Sequence, residues 1–306
     1  MNVPILKIEH LYHRYDQQWA VKDINIEIDK NGIYGLLGSN GAGKSTTMNI
    51  LCGVLKQTQG SVCINGVDLS ENPVQAKRYI GFLPQVPPLH LDLNVREYLK
   101  YCAKLRYITG KDADKAVDEV LDKCKISHFA RRVLRNLSGG YQQRVGIAQA
   151  IIHKPDLVVF DEPTNGLDPN QIAEIRNLIK EIAQDSTVIL STHILPEVQA
   201  ACDYVRMIEK GSVVFEGSMD EFDNYIQSKS LIATLDAHPA VEELAVLSGV
   251  EGVELLEDRR YRIRFSDKRE ALDRILEMSL AKCWQLSEIQ EEKASLEEIF
   301  AALSKK

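Results

Sequence analysis

The sequence predicts an α/β protein with a mainly parallel central β-sheet, an antiparallel β layer, an inserted helical subdomain and a small C-terminal α+β domain. Strand-like apolar runs alternate with helical stretches over residues 33–190, which is typical of a parallel sheet. The N-terminal residues show the two-residue alternation of antiparallel strands, and residues 94–136 have a helical composition. We expect a first domain over residues 1–228 and a second over residues 229–306.

The N-terminal part leads from strands into a glycine-rich loop. Strands are predicted at residues 5–8 and 21–28, where apolar residues share one face. The compact apolar run at residues 33–37 predicts a buried strand, and a helix is expected over residues 44–55. Strand, loop and helix therefore follow one another in the order that a phosphate-binding site requires.

The remaining pattern completes both domains. Further helices are expected at residues 142–153, 171–183 and 219–227, and further strands at 157–160, 187–190 and 213–215. The polar residues 228–230 indicate the junction between the domains. After it the order is strand, helix, strand, strand, helix, strand, with a last helix from Leu296, and this βαββαβ order predicts a ferredoxin-like module. Tyr261, Ile263 and Phe265 alternate with arginines, which predicts a strand with one buried and one basic face.

Composition excludes several classes of protein. The net charge of −7 argues against a broad basic surface that holds nucleic acid. The six cysteines form no C-x-x-C pair, so neither a zinc site nor a disulfide framework is indicated, and a reducing compartment fits best. No window approaches the roughly 18 apolar residues of a membrane span. If the protein works at a membrane, we expect another chain to supply the spans.

A phosphate-binding loop is the strongest single motif. The segment from Gly38 to Ser45 matches G-x-x-x-x-G-K-[ST] between the predicted strand and helix. Glycines let backbone N–H groups converge on phosphate oxygens, Lys44 adds a cation at the β/γ-phosphates, and the Ser45 hydroxyl can reach Mg²⁺. The residues expected to bind the nucleotide here are Gly38, Ser39, Asn40, Gly41, Ala42, Gly43, Lys44, Ser45 and Thr46.

A carboxylate pair follows the strand predicted at residues 157–160. Asp161 and Glu162 stand at its C-terminal end, where α/β sheets place their ligands. Asp161 is predicted to support the Mg²⁺ shell, and Glu162 to act as general base on the water that attacks the γ-phosphorus. Acidic pairs at strand ends are more often merely solvated, so this prediction depends on the neighbouring motifs.

The segment Leu137-Ser138-Gly139-Gly140-Tyr141 resembles the LSGGQ signature of the ATP-binding cassette family. The resemblance covers about residues 4–227. Ser138, Gly139 and Gly140 are intact and resemble an anion-binding helix start, whereas Tyr141 stands where the family has glutamine. The resemblance implies ATP and Mg²⁺ as cofactors and a signature that caps the γ-phosphate bound by the opposite subunit.

Other positions match the family one by one. Tyr15 resembles the aromatic residue that stacks on adenine, although Tyr12 and Trp19 compete for that role. Gln85 resembles the glutamine that contacts Mg²⁺ and the attacking water, and His193 resembles the switch histidine at the γ-phosphate. The resemblance therefore implies Glu162, His193 and Gln85 as catalytic residues, and Ser45, Gln85 and Asp161 as metal ligands. Residues 165–168 resemble the loop that communicates between paired subunits.

The family resemblance implies an ATPase subunit of a multi-subunit exporter, in which two copies sandwich two ATP molecules. Residues 145–152, 166–171 and 295–300 most resemble gliding-motility and antibiotic-export ATPases. A permease on a separate chain is the expected membrane-spanning partner. We therefore expect a cytoplasmic protein, peripheral on the inner face of the cell membrane, with no nucleic acid as partner.

Two competing hypotheses are weaker. Cassette ATPases also act on ribosomes or DNA, but such members usually carry two cassettes or a very long coiled coil, and this chain has neither. Co-purification with a membrane protein, or with ribosomes or DNA, separates these classes. A cassette that binds nucleotide without hydrolysing it is disfavoured because Glu162 and His193 are both present.

Overall fold

A computed structural model describes residues 3–225, 230–257 and 259–292. The chain divides into two compact units, Met1–Met219 and Asp220–Lys306. The predicted junction residues 228 and 229, the last helix from Leu296 and the motif at residues 295–300 lie outside the described residues.

The first unit contains an antiparallel layer and a larger sheet. The layer has the strand order β2-β1-β4-β5, and the six-stranded sheet has the order β10-β9-β3-β8-β7-β6. The strands are β1 (Leu6–Tyr15), β2 (Gln18–Ile28), β3 (Ile33–Leu37), β4 (Gln59–Ile64), β5 (Val67–Asp68), β6 (Ile80–Leu83), β7 (Leu157–Asp161), β8 (Thr187–Thr192), β9 (Tyr204–Glu209) and β10 (Ser212–Ser218). Only the β9–β10 pair of the larger sheet is antiparallel, as expected for a mainly parallel sheet.

The three strands at the centre of this sheet are buried along their whole length. Every residue of β3, β7 and β8 is buried, which matches the continuous apolar runs that predicted them. Because these strands are parallel, their carboxyl ends meet at one edge of the sheet. The glycine-rich loop, the Asp161–Glu162 pair and His193 all lie at this edge.

Helices connect the strands. They are α1 (Lys44–Leu51), α2 (Pro73–Ala76), α3 (Val95–Leu105), α4 (Gly110–Lys123), α5 (Gly139–Ile151), α6 (Pro169–Ile182), α7 (Leu195–Ala201) and α8 (Met219–Tyr225). Helix α1 ends at Leu51 rather than at the predicted Leu55, because Cys52 leaves the helical conformation and Gly53 has a φ of 64°.

Helices α3 and α4 lie in the segment predicted as an inserted helical subdomain. Asn94 and Glu97 begin α3 with a reciprocal capping box, in which each side chain accepts a hydrogen bond from the other residue's backbone N–H. Asp168 begins α6, because its carboxylate accepts hydrogen bonds from the N–H groups of Asn170 and Gln171 at 3.0 Å. Local side-chain chemistry therefore sets both helix starts.

The second unit has the predicted βαββαβ order. Its elements after α8 are β11 (Ser230–Leu235), α9 (Val241–Ala245), β12 (Val250–Glu257), β13 (Arg260–Phe265), α10 (Lys268–Ala281) and β14 (Leu286–Glu291). The strand order is β12-β13-β11-β14 with antiparallel neighbours, so the two βαβ units interleave as in ferredoxin-like folds.

The predicted alternation along β13 is also confirmed. Tyr261, Ile263 and Phe265 are buried in the core of this unit. On the other face, Arg262 forms ion pairs with Glu254 and Glu292. The arginine at the centre of the basic face is therefore neutralised by carboxylates of the same unit.

Candidate functional site

The glycine-rich loop joins β3 to α1 in a backbone conformation that depends on glycine. Gly41 and Gly43 have φ values of 81° and 108°, in the left-handed region that favours glycine. A Cβ atom at Gly43 would lie 2.6 Å from the carbonyl oxygen of Ala20. No side chain caps the start of α1 at Gly43. The loop and the helix start therefore present backbone N–H groups suited to an anion.

Lys44 reaches back over this loop. Its Nζ atom donates hydrogen bonds to the carbonyl oxygens of Gly38 at 2.9 Å and Ser39 at 3.2 Å. Lys44 is only 4% exposed, and this burial lowers its pKa, while the carboxylates of Glu162 and Asp161 oppose the effect. The anionic phosphates of a nucleotide would add further negative charge beside this ammonium group and would favour its charged form.

A cavity of about 510 Å³ lies above the loop. It is lined by Ala20, Asn40, Gly41, Gly43, Lys44, Ser45, Thr46, Gln85, Glu162, Asn165 and His193. Most of the predicted nucleotide-site residues of one chain therefore meet in one place. Ala20 was not predicted, because no motif contains it and only the close approach of β2 to Gly43 brings it here.

Three predicted loop residues do not line the cavity: Gly38 and Ala42 are buried, and Ser39 is exposed. Gly38 and Ser39 contribute the carbonyl groups that hold Lys44, and Ala42 is buried. The carbonyl oxygen of Ala42 accepts a hydrogen bond from the N–H of Gly211, at the turn between β9 and β10. These three residues therefore contribute backbone carbonyl groups that hold the loop in place.

The carboxylate pair is buried at the end of β7. Asp161 is 4% exposed and Glu162 is 8% exposed. Glu162 has a φ of 48°, an uncommon backbone conformation for a side chain of this size, and its N–H donates to the carbonyl oxygen of Ser191 at 2.9 Å. Its Oε1 atom lies 3.9 Å from Nζ of Lys44. The uncommon backbone conformation of Glu162 therefore accompanies the placement of its carboxylate beside Lys44 of the phosphate loop.

His193 stands beside Glu162 at the end of β8. Its Nδ1 atom lies 3.0 Å from Oε1 of Glu162, so Nδ1 donates when it carries the ring proton. The two side chains are brought together because β7 and β8 are parallel neighbours, in which Asp161 is paired with Ser191. The sheet thus couples the predicted general base to the predicted switch histidine.

The residues predicted as metal ligands fit Mg²⁺ by their chemistry. Ser45 and Gln85 line the cavity with a hydroxyl and an amide. Asp161 offers a carboxylate that is buried at the end of β7 and does not line the cavity itself. The Oδ1 atom of Asp161 is buried without a hydrogen-bond partner among the described residues, which leaves its lone pairs for a cation or its water. Among the described residues, no cluster of three or more His, Cys, Asp or Glu side chains could bind a metal ion without other ligands. Sparse oxygen ligands suit Mg²⁺, which binds together with phosphates and waters.

The signature residues do not line this cavity. Ser138 and Gly139 are exposed at the start of α5, and the Ser138 side chain makes no capping hydrogen bond. Gly140 is buried against Gln171, whose side-chain oxygen would lie 2.6 Å from a Cβ at this position. One chain therefore places its phosphate loop and its signature at separate sites.

Tyr141, which departs from the family pattern, has a packing role. Its ring packs edge-on against Phe129, with 4.5 Å between the ring centroids. The following Gln142 donates from its side chain to the carbonyl oxygens of Leu134 and Leu137. Both side chains are therefore engaged within the helical part of their own chain.

The three candidate adenine-stacking residues lie on the β1–β2 hairpin. Tyr15 is 51% exposed and pairs across the hairpin with Gln18, close in sequence to Ala20 at the cavity. Tyr12 and Trp19 pack against each other, with ring centroids 5.8 Å apart. Tyr15 therefore offers the most accessible ring, although it does not line the cavity itself.

Fold and site together define a nucleotide-hydrolysing protein of the phosphate-loop class. A glycine-rich loop between a buried parallel strand and a helix shares its cavity with Glu162, and Asp161 precedes Glu162 at the end of β7 in the same sheet. The family model described as "ABC transporter" matches residues 21–165.

Similar proteins agree with this class. The bacitracin transport ATP-binding protein BcrA of Bacillus licheniformis is 39% identical over 218 residues, covering 71% of this chain and 70% of BcrA. The linearmycin resistance ATP-binding protein LnrL of Bacillus subtilis is 31% identical over 229 residues, covering 74% of each chain. A dimeric ATP-binding cassette, MJ0796, solved with ADP and Pi, has a TM-score of 0.64 and 27% identity, covering 70% of this chain and 98% of that one.

The chain belongs to the family of ABC transporter ATP-binding proteins. It is an ATP-binding and ATP-hydrolysing subunit of a multi-component transporter, in which hydrolysis is coupled to transport. No helix in the described part of the chain has the length and apolar character needed to cross a membrane.

Proposed function

We propose that two copies of this chain close on two ATP molecules and thereby drive export through a separate membrane-spanning partner. The observation that carries the proposal is the separation of the two half-sites within one chain. Lys44, Glu162 and His193 meet at the cavity, whereas Ser138 and Gly139 are exposed elsewhere. A second copy can supply the missing signature, so that closure depends on shared ATP.

The residues in and around the cavity have distinct tasks in this proposal. The loop N–H groups and Lys44 hold the β- and γ-phosphates, and the exposed Tyr15 stacks on adenine. Ser45, Gln85 and Asp161 would hold Mg²⁺, which neutralises phosphate charge when bound. These groups fix the phosphates while the chemistry proceeds at Glu162.

The hydrolytic step uses the pair at the ends of β7 and β8. Glu162 accepts a proton from a water molecule as the water oxygen bonds to the γ-phosphorus and the bond to the β–γ bridging oxygen breaks. His193 holds the Glu162 carboxylate through its Nδ1 atom. Loss of the γ-phosphate would remove the ligand shared by both copies and reopen the dimer.

A groove of about 850 Å³ in the first unit suits the membrane-spanning partner. Its rim exposes four large apolar side chains, Val54, Val74, Leu105 and Tyr107. Among the described residues that line it, three are Lys or Arg and none is Asp or Glu. We infer that it takes a cytoplasmic helix of the permease with an apolar face and acidic flanks, which would place this chain peripherally on the inner face of the membrane.

The direction of transport and the role of the second domain are further parts of the proposal. Relatives named for bacitracin transport and for linearmycin resistance support export. None of the described residues within 230–257 and 259–292 lines the cavity, and we assign residues 229–306 an accessory role in steadying or regulating the dimer.

Mixing two inactive variants tests the composite site. Lys44→Ala disables the phosphate half-site, and Gly139→Asp disables the signature without steric conflict, since a Cβ at Gly139 meets no atom within 4 Å. Each variant alone should lack ATPase activity. Because a mixed dimer contains one intact composite site, combining them should restore turnover. Mixtures that stay inactive, although each variant folds and associates with the other, would contradict the shared site.

A further inference from the structure

A buried carboxylate outside the proposed catalytic set lies beneath the site. Glu197, in α7, is 6% exposed. Both of its oxygens lie 2.8 Å from Oγ1 of Thr164, and Oε2 lies 3.1 Å from Oγ1 of Thr192. No Lys, Arg or His within residues 3–225, 230–257 and 259–292 forms an ion pair with it. A buried carboxylate without a cation is costly, so these hydroxyl donors matter to it.

The two threonines belong to the segments that carry the proposed catalytic pair. Thr164 follows Glu162 by two residues and directly precedes Asn165, which lines the cavity. Thr192 directly precedes His193, and its Oγ1 also accepts a hydrogen bond from the N–H of Ile194 at 3.1 Å. The Glu197 carboxylate therefore connects the segment after β7 to the end of β8 through the hydroxyl groups of Thr164 and Thr192. The Thr192 hydroxyl in turn binds the backbone directly after His193.

The hydrogen bonds of Glu197 lie next to the two residues whose relative position the hydrolytic step depends on, Glu162 and His193. The Glu162 backbone is in the left-handed region, a conformation that persists only when its surroundings hold it. The 3.0 Å contact between Glu162 and His193 joins two segments that the buried carboxylate also bridges. Geometric errors of about 1 Å in a reacting group can lower rates by about a hundredfold.

We propose that Glu197 is a positioning residue for ATP hydrolysis, which holds Thr164 and Thr192 and thereby fixes Glu162 against His193. The inference rests on the catalytic roles proposed above for Glu162 and His193. Glu197 does not line the nucleotide cavity, so its effect reaches the reaction through those two residues.

The test separates kcat from ATP affinity in the full-length chain. Glu197→Ala leaves two buried hydroxyl groups without their acceptor and should lower kcat by about tenfold to a hundredfold. The dissociation constant for ATP, measured by calorimetry, should stay unchanged because the Lys44 loop is untouched. Glu197→Gln keeps the shape and one acceptor oxygen, so it should recover part of kcat. Glu181→Gln makes the same chemical change on the exposed face of α6 and should behave as wild type.

A second background distinguishes positioning from general destabilisation. If Glu197 acts through His193, then Glu197→Ala should lower kcat much less in a His193→Ala protein than in wild type. Equal losses in both backgrounds would overturn the inference. If Glu197→Ala does not fold, Thr192→Val and Thr164→Val remove the same hydrogen bonds one at a time and must each lower kcat.

Failure of this inference differs from failure of the proposed function. Wild-type kcat in the Glu197 variants, together with strong losses in Glu162→Gln and His193→Ala, overturns the positioning role alone. Wild-type kcat in Glu162→Gln and His193→Ala overturns the proposed catalytic roles themselves.

Discussion

The Nζ atom of Lys44 lies 3.9 Å from the Oε1 atom of Glu162, although the two residues belong to distant parts of the chain. Both side chains are almost completely buried at the floor of the cavity. The cation expected at the γ-phosphate and the carboxylate expected to take a proton from water therefore face the same small volume. Phosphoryl transfer depends on such positioning more than on covalent chemistry by the protein.

Removing the Lys44 amine should weaken ATP binding. Lys44→Ala is expected to lose about 2 kcal/mol of binding free energy, the value of a hydrogen bond to a charged group, or roughly thirtyfold in the dissociation constant. Fluorescence or calorimetric titration with ATP measures this loss. Lys56→Ala, which removes an exposed lysine beyond α1, is the matched control. Equal ATP affinity in both variants would contradict the role of Lys44.

Neutralising Glu162 should stop turnover without preventing ATP binding. Glu162→Gln removes the proton acceptor and is expected to lower kcat by about 10²- to 10⁴-fold. Because the phosphate loop is intact, the variant should retain ATP and accumulate as a closed dimer in size-exclusion chromatography with ATP. Turnover at the wild-type rate would refute the general-base assignment, and Glu181→Gln again serves as the control.

One aromatic residue of the β1–β2 hairpin should govern recognition of adenine. Tyr15→Ala is expected to weaken ATP binding by about 1–3 kcal/mol, the range for base stacking, while binding of inorganic triphosphate stays unchanged. Tyr15→Phe should retain ATP affinity. Tyr12→Ala and Trp19→Ala are the comparison variants. If either of these loses affinity selectively for ATP and Tyr15→Ala does not, the stacking role belongs to that residue.

His153 should make the fold sensitive to acid. Burial and the nearby Arg106 lower the pKa of His153 to about 4, while the carbonyl oxygen of Ile80 accepts its Nε2–H at 3.0 Å. The unfolded chain binds this proton more readily than the folded chain. The contribution of neutral His153 to the free energy of unfolding is therefore complete above about pH 6.5. It is lost progressively as pH falls toward 4, by up to about 3 kcal/mol.

Chemical denaturation at several pH values measures this dependence. His153→Gln retains a donor for Ile80 but cannot titrate, so its stability should fall less steeply between pH 6.5 and 4 than that of wild type. The same slope in both proteins would show that other groups dominate acid unfolding.

Deleting residues 229–306 should separate ATP binding from assembly. Among the residues that the structure describes, all those that line the cavity belong to the first unit, so the shortened chain should still bind ATP. If the second domain steadies the dimer, deletion should weaken ATP-dependent dimerisation or the ATPase activity of the complex with the permease. If the shortened chain matches wild type in both dimerisation and ATPase activity, the proposed accessory role of the second domain is contradicted.

Features encoded by neighbouring residues were predictable from the sequence. The bounds of β3, the position of the glycine-rich loop and the βαββαβ order of the second unit all follow from local periodicity and turn chemistry. Helix α1 was predicted too long, because nothing in its apolar pattern marks the left-handed Gly53 as its end. Local patterns thus located the elements better than their boundaries.

The sequence by itself determined which chemical groups are present, since each motif consists of residues that are neighbours along the chain. Only the tertiary structure decided which of these groups meet. The parallel order β3-β8-β7 brings Lys44, His193 and Glu162 to one edge of the sheet. The same packing adds Ala20 to the cavity, buries Glu197 beneath it and leaves Ser138 exposed elsewhere. Such contacts depend on the crossing of chain segments that are far apart in sequence, which no local pattern records.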